Sequence, residues 1–230
     1  MQQRTVLIGD IHGCHDELMD LLKKVNLQPE DRLITLGDSI VKGPKPLEVM
    51  RFLLGRPRTD NLLGNMEWGL MRGIERRKRD RLPRAHVEAY ERLKTAWDEI
   101  EPALLTWPVS LDLGDYICVH AGVHPARKLR KQKKRDLLHL RRVKVKGKDG
   151  PAESRPWWEF YQGPPVVIFG HSVLPAPLVT EWAIGLDTGC VYGGHLTALV
   201  LPERKIVQVP ARAVYHRSAP QGFEANREIA

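Results

Sequence analysis

Five short apolar runs in the sequence each stop next to a glycine and a side chain that can bind a metal ion. In α/β proteins, ligands bind beyond the carboxyl ends of the strands, and glycine lets the backbone turn sharply there. We therefore expect these side chains, although distant in sequence, to meet at one site. The residues concerned are Asp10, His12, Asp38, Asn65, His120 and His171.

A set of carboxylate, amide and imidazole groups fits two divalent cations about 3.5–4 Å apart that share one carboxylate. Such ligands suit manganese, iron or zinc, whereas a structural zinc site would favour thiolates. A pair of cations of this kind activates water and neutralises phosphoryl oxygens during in-line attack. Each motif alone could be an ordinary turn, but together they predict two divalent metal ions, with manganese expected and iron, zinc, cobalt, nickel or magnesium as alternatives.

The elements that must position these residues alternate between strands and helices early in the chain and are mostly strands later. This order indicates a mixed α/β fold. No change of composition divides the chain, so we expect a single domain over residues 1–217 and a loose tail over 218–230. Short apolar runs predict strands at Thr5–Ile8, Arg32–Leu36, Asn61–Leu63, Val109–Leu113, Tyr116–Val119, Val166–Phe169, Trp182–Leu186, Leu196–Leu201 and Lys205–Val209.

Helices are expected between some of these strands. The first has apolar residues at helical spacing from Leu18 to Val25, and Asp16 is placed to cap it. Pro46 opens a second helix, and Ala85–Ile100 forms a third. The segment Lys144–Pro165 contains several glycine and proline residues, which predicts a long loop.

Composition is that of a globular protein, with 42% hydrophobic and 28% charged residues. No apolar run approaches the roughly 20 residues needed to span a bilayer, so we expect no membrane partner. The run Val6–Ile8 is too short for the core of a signal peptide. Three sparse cysteines argue against a disulfide framework and predict a reducing, cytoplasmic location.

The formal net charge is +8, and much of the excess lies between Arg127 and Lys148, where a single acid, Asp136, interrupts the basic residues. Two interpretations are open. The run could be a solvated surface segment, or it could be a landing surface for a polyanion, including RNA. Either way, an anionic partner such as a phosphorylated substrate is expected, while the oligomeric state is left open.

The motifs GDIHG (Gly9–Gly13), GDSIVKG (Gly37–Gly43), GNME (Gly64–Glu67), HAG (His120–Gly122) and Gly170-His171 resemble those of the phosphoprotein phosphatase superfamily of calcineurin-like metallophosphoesterases. The later segment GLDTGCVYGGHLTAL (Gly185–Leu199) resembles symmetrical diadenosine tetraphosphate hydrolases and ApaH-like phosphatases. Leu137–Val143 is similar to a further ApaH-like segment. The resemblance implies two facing mixed β-sheets flanked by helices.

The same resemblance implies roles for individual residues. Asp10, His12 and Asp38 would bind one cation, and Asp38 would also bridge to the second. The second cation would be bound by Asp38, Asn65, His120 and His171. Catalytic and phosphate-binding roles fall to Asp38 as the bridging ligand, to Lys42, which stands where protein phosphatases have a phosphate-binding arginine, and to Arg141 or Arg142.

The sequence departs from the family pattern at two positions. Met66 occupies the place of the general-acid histidine, and Val41 that of its aspartate partner. Loss of a general acid costs about 10²–10⁴-fold on steps that need one. An alkoxide leaving group needs a proton, whereas a phosphate leaving from an anhydride is already a stable anion. We therefore expect anhydrides or activated aryl phosphates to be better substrates than alkyl phosphomonoesters.

Other residues could compensate for the missing acid or bind the substrate. His124 and His195 are candidate proton donors, although each could be a surface or loop histidine. Glu67 is expected to orient metal ligands. The pair Trp157 and Trp158 could stack on a nucleobase or could pack a loop onto the body of the protein.

The sequence thus predicts a metal-dependent phosphohydrolase acting on diadenosine or nucleoside polyphosphates, on polyphosphate or on activated phosphomonoesters. One alternative is a serine/threonine or tyrosine protein phosphatase. Another is a weakly active or inactive module that binds phosphorylated or nucleic-acid partners, an alternative left open by Met66.

Overall fold

The computed structural model describes residues 3–76, 79–146, 152–220 and 223. Its mixed α/β fold, with two five-stranded mixed sheets flanked by helices, confirms the predicted fold class. The helices are α1 (His15–Lys24), α2 (Pro46–Gly55), α3 (Asn65–Glu75), α4 (Arg84–Leu93), α5 (Trp97–Thr106) and α6 (Lys134–His139).

Strands make up the two large sheets and one two-stranded hairpin. The first sheet has the order β12-β11-β1-β2-β3, the second β4-β5-β8-β10-β9, and β6 pairs with β7. Their bounds are β1 (Thr5–Ile8), β2 (Arg32–Thr35), β3 (Thr59–Asn61), β4 (Ser110–Asp112), β5 (Tyr116–Val119), β6 (Arg142–Lys146), β7 (Ala152–Pro156), β8 (Val166–Phe169), β9 (Leu178–Val179), β10 (Ala183–Gly185), β11 (His195–Leu201) and β12 (Lys205–Pro210).

Strand alternation explains why the central strands are apolar on both faces. In β1, Leu7 packs in the core between the two sheets, whereas Val6 and Ile8 pack against the helices outside the first sheet. In β8, Ile168 lies between the sheets and Phe169 lies in a third core that includes Trp157. Because side chains alternate across a strand, a strand buried on both faces reads as a continuous apolar run.

The site is positioned by parallel pairing of β1 with β2 and of β2 with β3 in the first sheet, and of β5 with β8 and of β8 with β10 in the second. Parallel neighbours end at the same edge of a sheet. The residues that follow β1 and β2 therefore meet at one edge of the first sheet. Those that follow β5 and β8 meet in the same way at one edge of the second sheet.

Several predicted elements differ from the structure. Asp16 does not cap α1: Cys14 is the N-cap residue, and the Asp16 carboxylate instead accepts hydrogen bonds from Lys45 Nζ at 2.7 and 2.8 Å. The expected third helix is broken by a 3₁₀ turn at Lys94–Ala96, after which α5 continues to Thr106. Tyr90 and Trp97 pack edge to face across this break, with ring centroids 5.3 Å apart.

The prediction of a loop over Lys144–Pro165 is wrong for residues 144–146 and 152–159, because β6 pairs with β7 and a 3₁₀ turn follows at Trp157–Glu159. Residues 147–151 of that segment lie outside the described residues. Part of the basic run is likewise structured, since α6 and β6 bury Leu137, Leu138 and Val143. Residues 147–148 of that run, and residues 221–222 and 224–230 of the expected tail, lie outside the described residues. Within the tail, Ala219 packs against the largest hydrophobic core, and so does Phe223, whose ring lies 6.0 Å from that of Tyr192.

Candidate metal centre

Asp10 and His12 follow β1 and are almost fully buried, with 3% and 4% of their surface exposed. The Nδ1 atom of His12 bonds to the Val41 carbonyl oxygen at 2.8 Å. This bond orients the other ring nitrogen, Nε2, toward two carboxylates. The Nε2 atom lies 3.9 Å from Oδ2 of Asp10 and 3.9 Å from Oδ2 of Asp38. Fixing one imidazole nitrogen by a backbone carbonyl is the usual way of orienting a histidine toward a metal ion.

Asp38 follows β2 and stands between two groups of possible ligands. One group contains Asp10, His12 and Asp38, the other Asp38, His120 and His171, and in each the ligand atoms lie within 4.8 Å of one another. Asp38 is the member common to both. A shared carboxylate of this kind is what two neighbouring cations require.

The second group is completed by residues from three further elements. His120, after β5, bonds through Nδ1 to the Leu36 carbonyl at 2.8 Å, and its Nε2 lies 2.9 Å from Asn65 Oδ1 at the start of α3. His171, after β8, is buried, and its Nε2 has no hydrogen-bond partner among the described residues. The rings of His120 and His171 pack edge to face at 4.9 Å.

The backbone at this site is held in an uncommon conformation. His12, Asp38, Lys42 and His171 have φ angles of 50°, 51°, 86° and 60°, in the left-handed region that residues other than glycine rarely adopt. Tertiary bonds hold them there: the His12 N–H donates to the Asp38 carbonyl at 2.8 Å, and the His171 N–H to Asp10 Oδ1 at 2.9 Å. Backbone strain of this type concentrates at functional sites.

Glycine is required next to two of these residues. A Cβ atom at Gly170 would lie 2.1 Å from Asp10 Oδ1, and one at Gly64 would lie 2.2 Å from the Asp38 backbone nitrogen. The glycines of the strand-end motifs therefore allow the ligand loops to approach one another closely.

Glu67, in the first turn of α3, is fully buried and holds the loop that carries Asp38. Its carboxylate accepts the N–H groups of Asp38 at 2.9 Å, Ser39 at 2.8 Å and Ile40 at 3.1 Å. It also accepts the N–H of Gly64 at 3.2 Å. Glu67 thus fixes the backbone of Asp38, a candidate metal ligand.

Three buried carboxylates, those of Asp10, Asp38 and Asp187, lie close enough to interact. Burial, with the charges of Asp187 and Asp38, raises the pKa of Asp10 well above its usual value. Burial is also the main cause that raises the pKa of Asp187 to about 6. At Asp38 burial acts in the same direction, but His120, His12 and Lys42 outweigh it and lower the pKa.

Asp187 is a member of this cluster that the sequence analysis did not single out. It follows β10 by two residues, in Gly185-Leu186-Asp187, so it repeats the pattern of a strand end next to a glycine. That repetition was the signal that could have found it.

Two cationic side chains reach the ligands. Lys42 Nζ lies 3.2 Å from His12 Nε2 and 5.2 Å from the centre of the Tyr192 ring. Although burial lowers the pKa of Lys42, Asp38 and Tyr192 raise it further, so the side chain stays charged. The Arg141 guanidinium donates to the His171 carbonyl oxygen at 3.0 Å.

The other predicted site residues make different contacts. Arg142, the neighbour of Arg141, donates through Nε to the Ser154 carbonyl at 3.1 Å, on the β6–β7 hairpin. His124 contacts Gln132 and the N–H of Ala126. The backbone of His195 pairs with Thr188.

The idea that the two tryptophans stack on a nucleobase is not supported. Trp157 is fully buried, and its indole N–H donates to the Ala121 carbonyl at 3.2 Å. The Trp158 ring is stacked on Phe169 at 5.2 Å. Trp157 has no exposed face and one face of the half-buried Trp158 is covered by Phe169, so the pair packs the segment after β7 onto the second sheet.

A basic cavity of about 390 Å³ adjoins the ligands on the side of α6. It connects to them through Arg141 and through His139, whose ring lies 6.4 Å from that of His171. Asp136, the one acid among the described residues of its wall, forms an ion pair with Arg127. The cavity is lined by Arg135, Asp136, His139, Leu140, Arg141 and Arg142.

One further histidine that the sequence did not indicate lies near Met66. His86, in α4, is 7% exposed and hydrogen-bonds to the Met66 backbone. Burial lowers the pKa of His86, so the ring is uncharged at neutral pH. Met66 itself donates its backbone N–H to Asp38 Oδ1 at 2.9 Å.

These observations fit divalent cations at the two groups of ligands. Buried carboxylates that raise one another's pKa gain most from a nearby positive charge. His171 Nε2, which has no partner in the part of the chain that the structure describes, offers a lone pair for coordination. The donor set of carboxylate, amide and imidazole suits intermediate divalent metals.

The calcineurin-like phosphoesterase family model matches residues 3–199 of the chain. The asymmetrical bis(5'-nucleosyl)-tetraphosphatase PrpE of Anoxybacillus flavithermus is 29% identical over 91% of this chain and 95% of its own length. The symmetrical bis(5'-nucleosyl)-tetraphosphatase of Dechloromonas aromatica is 30% identical, covering 89% and 95% respectively. A crystal structure of a candidate diadenosine tetraphosphatase is 29% identical, with a TM-score of 0.76 over 91% of this chain and 94% of the other.

Proposed function

The chain belongs to the calcineurin-like phosphoesterase family and is a hydrolase, and from this premise we propose that its substrates are phosphoanhydrides of the bis(5'-nucleosyl) tetraphosphate class. Nucleoside polyphosphates, inorganic polyphosphate and activated aryl phosphates share the relevant property, because each of them releases a stable anion as its leaving group. The relatives named above support this class of substrate. The residue at position 66 supports a preference for substrates whose leaving group needs no proton.

The observation that carries the preference is Met66. Its backbone is hydrogen-bonded to Asp38, so the side chain starts from the edge of the metal centre, and a thioether has no proton to give. Alkyl phosphomonoesters, which expel a basic alkoxide, need such a proton, and general-acid catalysis is worth about 10²–10⁴-fold. Anhydrides do not need it, so they lose little from the methionine.

The basic cavity beside α6 suits a substrate with more than one phosphate. Arg141 links the cavity to His171, so a phosphate chain that starts at the cations could continue toward Arg135 and Arg142. Arginine is well suited to phosphate because its planar guanidinium donates two parallel hydrogen bonds. A single phosphoserine side chain would leave this positive surface unused.

In the proposed mechanism, Asp10, His12 and Asp38 would hold one cation, while Asp38, Asn65, His120 and His171 would hold the other. When bound, the two cations supply Lewis-acid stabilisation of phosphoryl charge and activate the attacking water. Lys42 and Arg141 contribute fixed positive charge beside the ligands and orient the phosphate. Glu67 and the carbonyls of Val41 and Leu36 keep the ligands in place.

The test is a substrate panel measured with manganese, magnesium, zinc and cobalt in turn. Diadenosine tetraphosphate, short polyphosphate, p-nitrophenyl phosphate and a phosphoserine peptide are compared at equal concentration. We expect the tetraphosphate to have the highest kcat/KM and the phosphoserine peptide the lowest. Faster cleavage of the phosphoserine peptide would contradict the proposal and favour a protein phosphatase.

Two other results would also decide between the alternatives. Bound metal without turnover of any compound in the panel would indicate a binding module. Tight RNA binding that weakens steeply with salt would indicate that the basic surface receives a nucleic acid.

A further inference from the structure

We propose that Cys14, Glu17 and Cys190 form an additional metal site, buried and distinct from the two-cation centre, that binds a thiophilic divalent cation such as Zn²⁺. Each residue offers one ligand atom, and these atoms all lie within 4.8 Å of one another. The three residues are 0%, 1% and 2% exposed. The grouping is therefore closed to solvent, as structural zinc sites are.

The ligands come from two segments that the fold brings together. Cys14 is the N-cap of α1 and Glu17 lies three residues later, so both side chains point to the same side of the helix. Cys190 begins a short 3₁₀ turn, Cys190–Tyr192, that follows the left-handed Gly189. The thiols of Cys14 and Cys190 are hydrogen-bonded to each other, so the two sulfur atoms already adjoin.

Glu17 provides an independent indication that a ligand belongs here. One carboxylate oxygen, Oε1, accepts the Arg212 N–H and the Tyr215 hydroxyl, each at 2.8 Å. The other, Oε2, is buried and has no hydrogen-bond partner among the described residues. A buried acceptor without a partner is costly, and more so when it is charged. A cation between Oε2 and the two sulfurs would satisfy it.

The donor chemistry selects the kind of metal. Two sulfurs and one carboxylate oxygen suit zinc, which binds thiolates at about 2.3 Å and carboxylates at about 2.0–2.2 Å. Manganese and magnesium, which prefer oxygen, would be poor occupants. Binding would release the two thiol protons, and the two thiolates formed would balance the charge of the entering cation, so the net charge of the site would not change.

The position of the site gives it a structural consequence. Cys14 follows His12 by two residues, and Cys190 follows Asp187 by three. A cation bound to both cysteines would fasten the start of α1 to the segment after β10, and so steady two of the loops that surround the two-cation centre.

Cobalt spectroscopy of the full-length protein tests this proposal without any measurement of turnover. Cobalt bound to thiolate gives an intense near-ultraviolet charge-transfer band, and the two-cation centre has no thiolate to produce one. Protein stripped of metal under reducing conditions is titrated with Co²⁺ and then with Zn²⁺, which should displace the cobalt. Bound zinc is counted by elemental analysis.

We expect the band in the natural protein and its loss in Cys14→Ala and Cys190→Ala, together with the loss of one equivalent of zinc. Cys118→Ala is the matched control, because Cys118 is equally buried but lies between the two sheets. If the cysteine variants do not fold, Glu17→Gln keeps both thiols and should weaken zinc affinity about 10-fold or more.

Three results would overturn the proposal: no thiolate band in the natural protein, a band that persists without Cys190, or a Cys14–Cys190 disulfide in protein kept under reducing conditions. None of them bears on phosphoanhydride hydrolysis, which is measured separately. Conversely, a protein that cleaves no phosphate compound would still show the band if this site exists.

Discussion

The buried carboxylate of Glu67 accepts the backbone N–H of Asp38 at 2.9 Å, so α3 fixes the conformation of the residue that both groups of ligands share. In Glu67→Gln, an amide N–H₂ would face backbone N–H groups whose hydrogen bonds the carboxylate now accepts. We expect metal affinity to fall about 10- to 100-fold and the free energy of unfolding to fall by about 1–3 kcal/mol.

Isothermal titration with Mn²⁺ and urea unfolding measure these two effects. Glu75→Gln is the control, because Glu75 ends the same helix but is exposed. If Glu67→Gln bound metal as tightly as Glu75→Gln, the proposed role of Glu67 would be excluded.

The cluster of buried carboxylates predicts an unusual pH dependence for the metal-free protein. Asp187 has a pKa of about 6 in the folded chain, raised mainly by burial, against 3.8 when exposed. Between these values the folded state binds the proton and the unfolded state does not, so the contribution of Asp187 to stability falls as pH rises from about 4 to 6. Asp187→Asn should flatten this part of the stability profile, measured by urea unfolding with a chelator present.

Saturation with Mn²⁺ should remove the effect, because the cation stabilises the charged carboxylates. It should also raise stability by about 2.7 kcal/mol at a metal concentration 100 times Kd. An Asp187→Asn profile parallel to that of the natural protein between pH 4 and 6 would show that Asp187 titrates normally.

Met66→His should restore a proton donor at the edge of the centre. We expect kcat on a phosphoserine peptide to rise about 10- to 100-fold, a part of the range for general-acid catalysis. Cleavage of diadenosine tetraphosphate should change little, since its leaving group needs no proton. Met66→Leu, similar in volume, is the control for packing against the core, and equal gains from both variants would rule out proton donation as the cause.

Arg141→Ala should weaken substrate binding, because its guanidinium lies between His171 and the basic cavity. We expect KM for diadenosine tetraphosphate to rise about 10-fold, a loss of roughly 1.4 kcal/mol. Arg84→Ala removes the same charge from an exposed position at the start of α4 and should leave KM unchanged. Similar KM values for the two variants would exclude Arg141 from substrate binding.

Gly170→Ala should disrupt the centre through a single methyl group. The new Cβ would come 2.1 Å from Asp10 Oδ1, so the loop after β8 must move away. We expect loss of metal binding by titration and a destabilisation of about 1–3 kcal/mol. Gly55→Ala, where a Cβ meets nothing within 4 Å, should be neutral or slightly stabilising. Full metal binding by Gly170→Ala would show that the close approach is not needed.

Sequence predicted the convergence of the ligands because strand ends carry a local signal. Apolar runs such as Thr5–Ile8 and Val166–Phe169 match the strands of the structure, and the residue after each run is therefore placed by the sheet. The same rule applied to Gly185-Leu186-Asp187 would have added Asp187 to the cluster.

Other features depend on tertiary contacts and could not be predicted in the same way. In the sequence, Gly64-Asn65 has the pattern of a turn. In the structure α3 begins there, because the Glu67 carboxylate accepts hydrogen bonds from the backbone N–H groups of Gly64 and of Asp38, which lies in a distant loop. The strand Arg142–Lys146 alternates apolar and basic residues, but its charge and the nearby glycines and prolines concealed the period. The burial of Trp157 depends on Phe169, which a reading of the local segment cannot supply.

The left-handed backbones of His12, Asp38 and His171 have a consequence for how the protein could be altered or divided. A short peptide with the GDIHG or GDSIVKG sequence would relax to a commoner backbone conformation, and its side chains would no longer be oriented toward a shared site. Cation binding is therefore expected to depend on both sheets together. Any change that lets the two sheets separate should abolish cation binding before the helices unfold. Transplanting this centre into another scaffold would require the crossing hydrogen bonds between loops as well as the ligands themselves.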